Sequence, residues 1–146
     1  MRRCSGLLMA ATVFMSACLV APTGACAAGP DRVVYHLNTG LEQASAGLEY
    51  IRNHLEVDRQ ARVVVVAHAA GVDFLLNGAK TARGNDYRQM VEDLEFQGVQ
   101  FRVCDITLRA RNLQRNQFLA IVQFVPSGVA EITRLQQREG FAYLRP

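Results

Sequence analysis

From residue 32 onward the apolar positions switch repeatedly between strand spacing and helix spacing. Residues 32–37 (RVVYHL) form a β-rich run that ends at the turn formers Asn38, Thr39 and Gly40. Leu41, Ala44, Leu48, Ile51 and Leu55 then recur three and four apart, as one face of a helix does. Residues 62–67 (RVVVVA) contain four consecutive valines, the pattern of a central strand covered on both faces. His68 and Gly71 mark its end, and the apolar run 72–76 is too short to assign.

A second helix is predicted over 86–97, with Asp86 and Gln89 as a capping box, Tyr87, Met90, Val91 and Leu94 as its buried face, and Gly98 as its stop. Residues 99–103 (VQFRV) read as a third strand with Cys104 at its carboxyl end. One or two helical turns are expected over 107–111, and a fourth strand over 120–125 (AIVQFV). Ser127 is placed to cap a last helix whose face is Val129, Ile132 and Leu135. Gly140 ends that helix, and residues 141–144 can add a short edge strand. Strands alternating with helices signal a mostly parallel sheet, so the expected fold is α/β, a three-layer, flavodoxin-like sandwich around five strands.

Residues 1–28 have a different character. Arg2 and Arg3 precede an apolar stretch from Leu7 to Val20, and a small-residue segment around Ala25 and Ala27 follows, which is the layout of a cleavable signal peptide. Ser16, Pro22 and Gly24 interrupt a stretch already short of the ~20 apolar residues that a spanning helix needs. Lipoprotein processing at Cys18 ranks lower, because Met15 stands where leucine is usual. The chain is therefore expected to be periplasmic or secreted, with domain 29–146 released and no stable membrane insertion.

Cleavage alters both charge and cysteine content. The full chain carries 16 basic and 13 acidic residues, and loss of Arg2 and Arg3 leaves 14 against 13, a net charge of +1. Such a balanced surface offers no electrostatic footprint for nucleic acid. Cys4, Cys18 and Cys26 lie in the leader, so the remaining domain has Cys104 alone and no internal disulfide.

In open parallel sheets, ligands bind at the carboxyl ends of the strands. That rule gathers Asn38, His68, Cys104, Asp105 and Ser127, with Arg111 near enough to fold back. Phosphate-loop, dinucleotide, zinc-protease, dithiol and serine-hydrolase motifs are absent from the sequence, and no cofactor or metal is expected. Cys104 is the strong nucleophile of the domain. Backbone N–H groups of the following helix and a nearby arginine favour its thiolate, while Asp105 opposes it. A reactive thiol and a buried inert one both remain open. His68 is a candidate base that Asp73 could orient, or a structural histidine; Ser127 is a candidate cap and Asn38 a turn former.

Residues 33–38 (VVYHLN), 63–76 (VVVVAHAAGVDFLL), 98–104 (GVQFRVC), Thr107-Leu108 and 125–131 (VPSGVAE) together resemble the exported branch of the DsrE/DsrF-like family. The likeness runs over 31–146. It implies a five-stranded parallel sheet, assembly into homo-trimers or hexamers, and a sulfur-relay role in which a cysteine after the third strand holds sulfur as a persulfide. Cys104 matches that position; no family role carries over to His68, Asn38 or Arg111. Relatives often have glycine where this chain has Asn112, and asparagine tolerates the same left-handed turn. The expected function is a periplasmic, sulfurtransferase-like carrier of sulfane sulfur with donor and acceptor open. The alternative is a non-enzymatic module that binds a small anion or metabolite.

Overall fold

The computed structural model describes residues 29–146; the leader reading concerns residues 1–28, outside the described part. Five strands, β1 (Arg32–Leu37), β2 (Arg62–Ala67), β3 (Gln100–Cys104), β4 (Gln123–Val125) and β5 (Ala142–Leu144), form one sheet in the order β4-β3-β2-β1-β5. Every pairing is parallel. The helices are α1 (Leu41–Val57), α2 (Tyr87–Phe96), α3 (Asp105–Arg111) and α4 (Gly128–Glu139), with 3-10 turns at Ala69–Leu75 and Arg115–Gln117.

Alternation along the strands divides the core into two layers. Val33, Tyr35, Val63, Val65, Phe101 and Val103 face α1, α2, α3 and the first 3-10 turn. Val34, Val64 and Val66 face the other way, against Ile132 and Leu135 of α4 and Phe141. β2 lies at the centre and has both faces covered, which accounts for its unbroken valines. Burial of each contributes about 1.5–3 kcal/mol. A single helix covers the second layer, so the carboxyl ends of the strands on that side stay close to the surface.

Several boundaries differ from the sequence pattern. β4 is three residues long instead of six, because Val122 N–H turns back to Leu119 O. Asp86 caps α2 through Arg88 N–H at 2.8 Å, with no reciprocal bond from Gln89, so it is a simple cap rather than a box. Val129 is 62 % exposed; Gly128 takes the inward place on α4, where the helix start packs close against the sheet edge. The unassigned run after Gly71 folds as the 3-10 turn Ala69–Leu75, and Asn112 adopts the left-handed turn (φ 53°) that ends α3.

A charged cluster fixes α4 across β3. Glu131, 11 % exposed, pairs with Arg102 from the strand and with Arg134 at 2.7 Å, and Arg134 also reaches Glu139. The Arg134 hydrogen bond, opposed by burial and joined by Arg102, holds the Glu131 carboxyl below its ordinary value. This clamp sets where the first turn of α4 meets the end of β3.

Candidate functional site

Cys104 is the last residue of β3, on the α4 face of the sheet. The pairing of Ala67 with Val103, carried one residue further, sets His68 beside it. His68 N–H donates to Leu37 O at 3.1 Å, so the backbone ladder continues toward β1. Gly128 at the start of α4 closes over this row. A Cβ there would lie 3.3 Å from Cys104 Cβ and 3.4 Å from His68 Cβ, so any larger residue would press on this row.

Cys104 is 5 % exposed, a free thiol. Burial pushes its pKa up, but the Gly128 N–H, the Thr107 N–H and hydroxyl and the Ile106 N–H around the sulfur favour its thiolate, and the balance falls below the ordinary thiol value. Two helix starts therefore converge on one sulfur, which is the arrangement that favours a thiolate. Thr107 has two partners: its oxygen accepts the Ala69 N–H at 2.9 Å while its hydroxyl proton serves Cys104. Ala69 holds a left-handed backbone (φ 51°), a conformation alanine adopts only when its surroundings enforce it. Arg111 completes the restraint by donating to Ala69 O at 2.9 Å.

Beyond His68 lies a second histidine. His36 Nε2 and His68 Nε2 are 2.6 Å apart, and His36 Nδ1 is 2.6 Å from the Tyr143 hydroxyl. Burial, then His68, then the positive charge of Arg145 lower the His36 pKa to about 4. Burial and Arg145 also lower that of His68, so both rings are neutral near pH 7. A neutral ring carries one N–H, which allows the short contact: one Nε2 donates and the other accepts.

The remaining expected site residues have structural partners. Asp105 accepts two hydrogen bonds from Arg115, at 2.9 and 2.7 Å, which balances the carboxylate charge that would oppose a thiolate next to it. Asp73 does not orient His68; its Oδ1 lies 2.7 Å from Arg111 Nη1, an ion pair outside hydrogen-bond angles. Ser127 caps α4 by accepting the Ala130 N–H at 3.4 Å. Asn38 N–H donates to Gln43 Oε1 at 2.7 Å, while its own Oδ1 is buried without a partner among the described residues. Among the described residues no hydrogen bond joins Cys104 to His68, and no cluster of three or more His, Cys, Asp or Glu has metal-binding geometry. The structure thus joins Cys104 and His68 and directs Asp105, Arg111 and Ser127 into the scaffold around them. Sequence reasoning missed His36, Tyr143, Gly128 and the second role of Thr107. Strand parity could have found His36, which shares its face with Val34, Val66 and Cys104.

The larger clefts lie elsewhere. One of about 710 Å³ borders α3 at Arg109, Asn112 and Arg115, and one of about 740 Å³ runs between α1 and the loop near Arg83; Cys104 lines neither.

The sheet and its order define an α/β protein with a free thiol at the end of its third strand. Over residues 32–146 the chain matches the DsrE/DsrF-like family model, and it belongs to that family, which is associated with sulfur relay. Among solved structures it is similar to a protein of unknown function from Methanobacterium thermoautotrophicum, at 34% identity and a TM-score of 0.70, over 80% of this chain and 99% of that one. The ychN protein from E. coli shares the fold, with 18% identity and a TM-score of 0.66 over 80% of this chain and 99% of that one. No curated protein matches the sequence.

Proposed function

We propose that this protein is a periplasmic or secreted sulfur carrier in which the Cys104 thiolate takes sulfane sulfur, holds it as a persulfide and yields it to an acceptor. The observation that carries the reading is the convergence of the Gly128, Thr107 and Ile106 donors on one sulfur at the ligand edge of a parallel sheet. The thiolate attacks the outer sulfur of a polysulfide; the new S–S bond forms at Cys104, and the leaving chain takes the electron pair. The same donors stabilise the departing thiolate when sulfur is passed on. Family membership supports sulfur as the cargo. The leader at residues 1–28 supports export, and among the described residues no helix is long and apolar enough to cross a membrane.

Self-association into a trimer or hexamer belongs to this reading. Ile106 and Val129, at the starts of the two helices beside Cys104, are 50 % and 62 % exposed, and a neighbouring subunit packed there would cover them and complete the pocket.

The near-complete burial of Cys104 favours one competing reading, a small-anion or metabolite binding module with an inert thiol. Incubating domain 29–146 with polysulfide and weighing it separates the two. A carrier gains the mass of a sulfur atom on wild type and none on Cys104→Ser. An inert thiol gains nothing and is alkylated only after denaturation.

A further inference from the structure

We infer that His68, His36 and Tyr143 form a proton relay that removes the proton of an incoming acceptor thiol as that thiol takes sulfur from Cys104. The inference rests on the carrier reading above and names the group that makes an un-ionised thiol a competent acceptor.

The chain of contacts is continuous and crosses three strands. His68 follows β2, His36 lies on β1 and Tyr143 on β5, and each link is 2.6 Å long. It runs along the sheet edge where the strand order reverses, between β1 and β5, a place where ligand crevices form. At one end, the Cβ atoms of His68 and Cys104 lie side by side, each within 3.4 Å of where a Cβ on Gly128 would sit. At the other, Tyr143 is 41 % exposed and open to water. His68 Nδ1 has no hydrogen-bond partner among the described residues. An Nε2–Nε2 pair uses each ring's outer nitrogen on the other ring and leaves that inner one free to accept a proton.

The charged and titratable groups around the pair keep both rings neutral, with a lone pair available to accept a proton. Cys104 contributes from β3, Tyr143 from β5 and Arg145 from the segment after it. Glu131 on α4 is held by Arg102 and Arg134. Arg145 follows the register of β5 onto the face of His36 and disfavours a resting positive charge on either ring.

In the step itself the acceptor R–SH gives its proton to His68 Nδ1, and its sulfur attacks the outer sulfur of Cys104–S–SH. The R–S–SH bond forms, the Cys104–S bond breaks, and the electron pair stays on the Cys104 thiolate. His68 passes its Nε2 proton to His36 Nε2, His36 passes its Nδ1 proton to the Tyr143 oxygen, and Tyr143 releases its hydroxyl proton to water. Charge is conserved: a neutral thiol and a neutral persulfide give a neutral persulfide, a thiolate and one released proton.

The test uses persulfide-loaded wild type, His68→Gln and Tyr143→Phe, with glutathione as acceptor. Loss of the added sulfur is followed by mass between about pH 6 and 9, across the acceptor's own thiol pKa of about 8.5. Wild type is expected to unload at a nearly constant rate. The variants, dependent on thiolate formed in solution, should be roughly 10–100-fold slower at neutral pH and should speed up about tenfold per pH unit. Equal rates and slopes in all three proteins overturn the relay and leave the carrier intact. If wild type takes up no sulfur, the carrier reading fails, and histidine ¹⁵N NMR judges the relay alone. Linked titrations of His36 and His68 below the ordinary value, altered by Tyr143→Phe, support it; independent titrations near 6.5 overturn it.

Discussion

Thr107→Val separates the two services that one hydroxyl performs in this site. Valine keeps the shape of threonine and removes the oxygen, so Cys104 loses a donor and the Ala69 N–H loses its acceptor. A hydrogen bond to a charged group contributes about 1.5–3 kcal/mol. The backbone N–H groups of Gly128, Thr107 and Ile106 remain on the sulfur, so the low end applies, and about 1.4 kcal/mol corresponds to about one pKa unit. The Cys104 pKa should therefore rise, and the thiolate fraction at neutral pH should fall by up to about tenfold. Stability should also fall, since Ala69 depends on this bond to hold its left-handed backbone, but by less than the ~1–3 kcal/mol of a fully buried N–H, because Ala69 is an exposed residue. The assay is the rate of iodoacetamide alkylation against pH for wild type, Thr107→Val and Thr107→Ser. Serine retains the oxygen and should track wild type. An unchanged apparent pKa in Thr107→Val, with serine and valine indistinguishable, would refute the claim that this hydroxyl tunes the thiol.

Other expectations follow from single contacts. Gly71→Ala would place a Cβ 2.2 Å from Leu37 O and 2.5 Å from Asn38 N, against backbone that cannot yield. A loss of about 3 kcal/mol or more is expected, seen as a fall of over 10 °C, roughly, in melting temperature or as insoluble protein; a melting temperature within a few degrees of wild type contradicts it. Gly128→Ala meets only side-chain atoms, at 3.3–3.4 Å, so the domain should fold while Cys104 alkylation slows; faster alkylation would mean that the helix start does not cover the thiol. Acidification should destabilise the fold through His36. Its folded pKa, about 4, lies below the ordinary 6.5, so the unfolded chain binds more protons in that window and stability is lost as pH falls from 6.5 toward 4. The full linkage is about 3 kcal/mol, cut to about 1–2 kcal/mol because His36 is only half-buried. Denaturant melts of wild type and His36→Gln should converge as pH drops through this range, and parallel pH dependences would exclude His36 as the source.

The fold was legible where a segment answers to one constraint. The valines of β2 must satisfy two layers, and the three-and-four spacing in α1 must satisfy one, so both stand out in the sequence. β4 was overestimated because Ile121 and Val122 are apolar for packing in the turn before the strand, which spacing alone cannot distinguish from pairing. Val129 was misplaced because the sheet edge, rather than helical periodicity, decides what fits at the start of α4. In the site, the place of Cys104 was readable from a strand end followed by a helix. The partners that tune it were not, because they come from residues distant in the chain. Gly128 acts through a backbone N–H that leaves no trace in residue type. His36 is joined to Tyr143, 107 residues away, only through the return of β5 to pair with β1. The strand-end rule gathers Asp105, with Arg111 close behind it in the chain; their bonds to Arg115, Asp73 and Ala69 make them supports of the loops around the thiol.

The measurement closest to the central claim is the intact mass of the protein isolated from its own compartment without reductant, before and after cyanide, which strips sulfane sulfur from a persulfide. The account predicts a population heavier than the free-thiol protein by one sulfur, mapped to Cys104, that cyanide returns to the free-thiol mass with release of thiocyanate. A single species at the free-thiol mass, unchanged by cyanide and unable to gain sulfur from polysulfide, would contradict it.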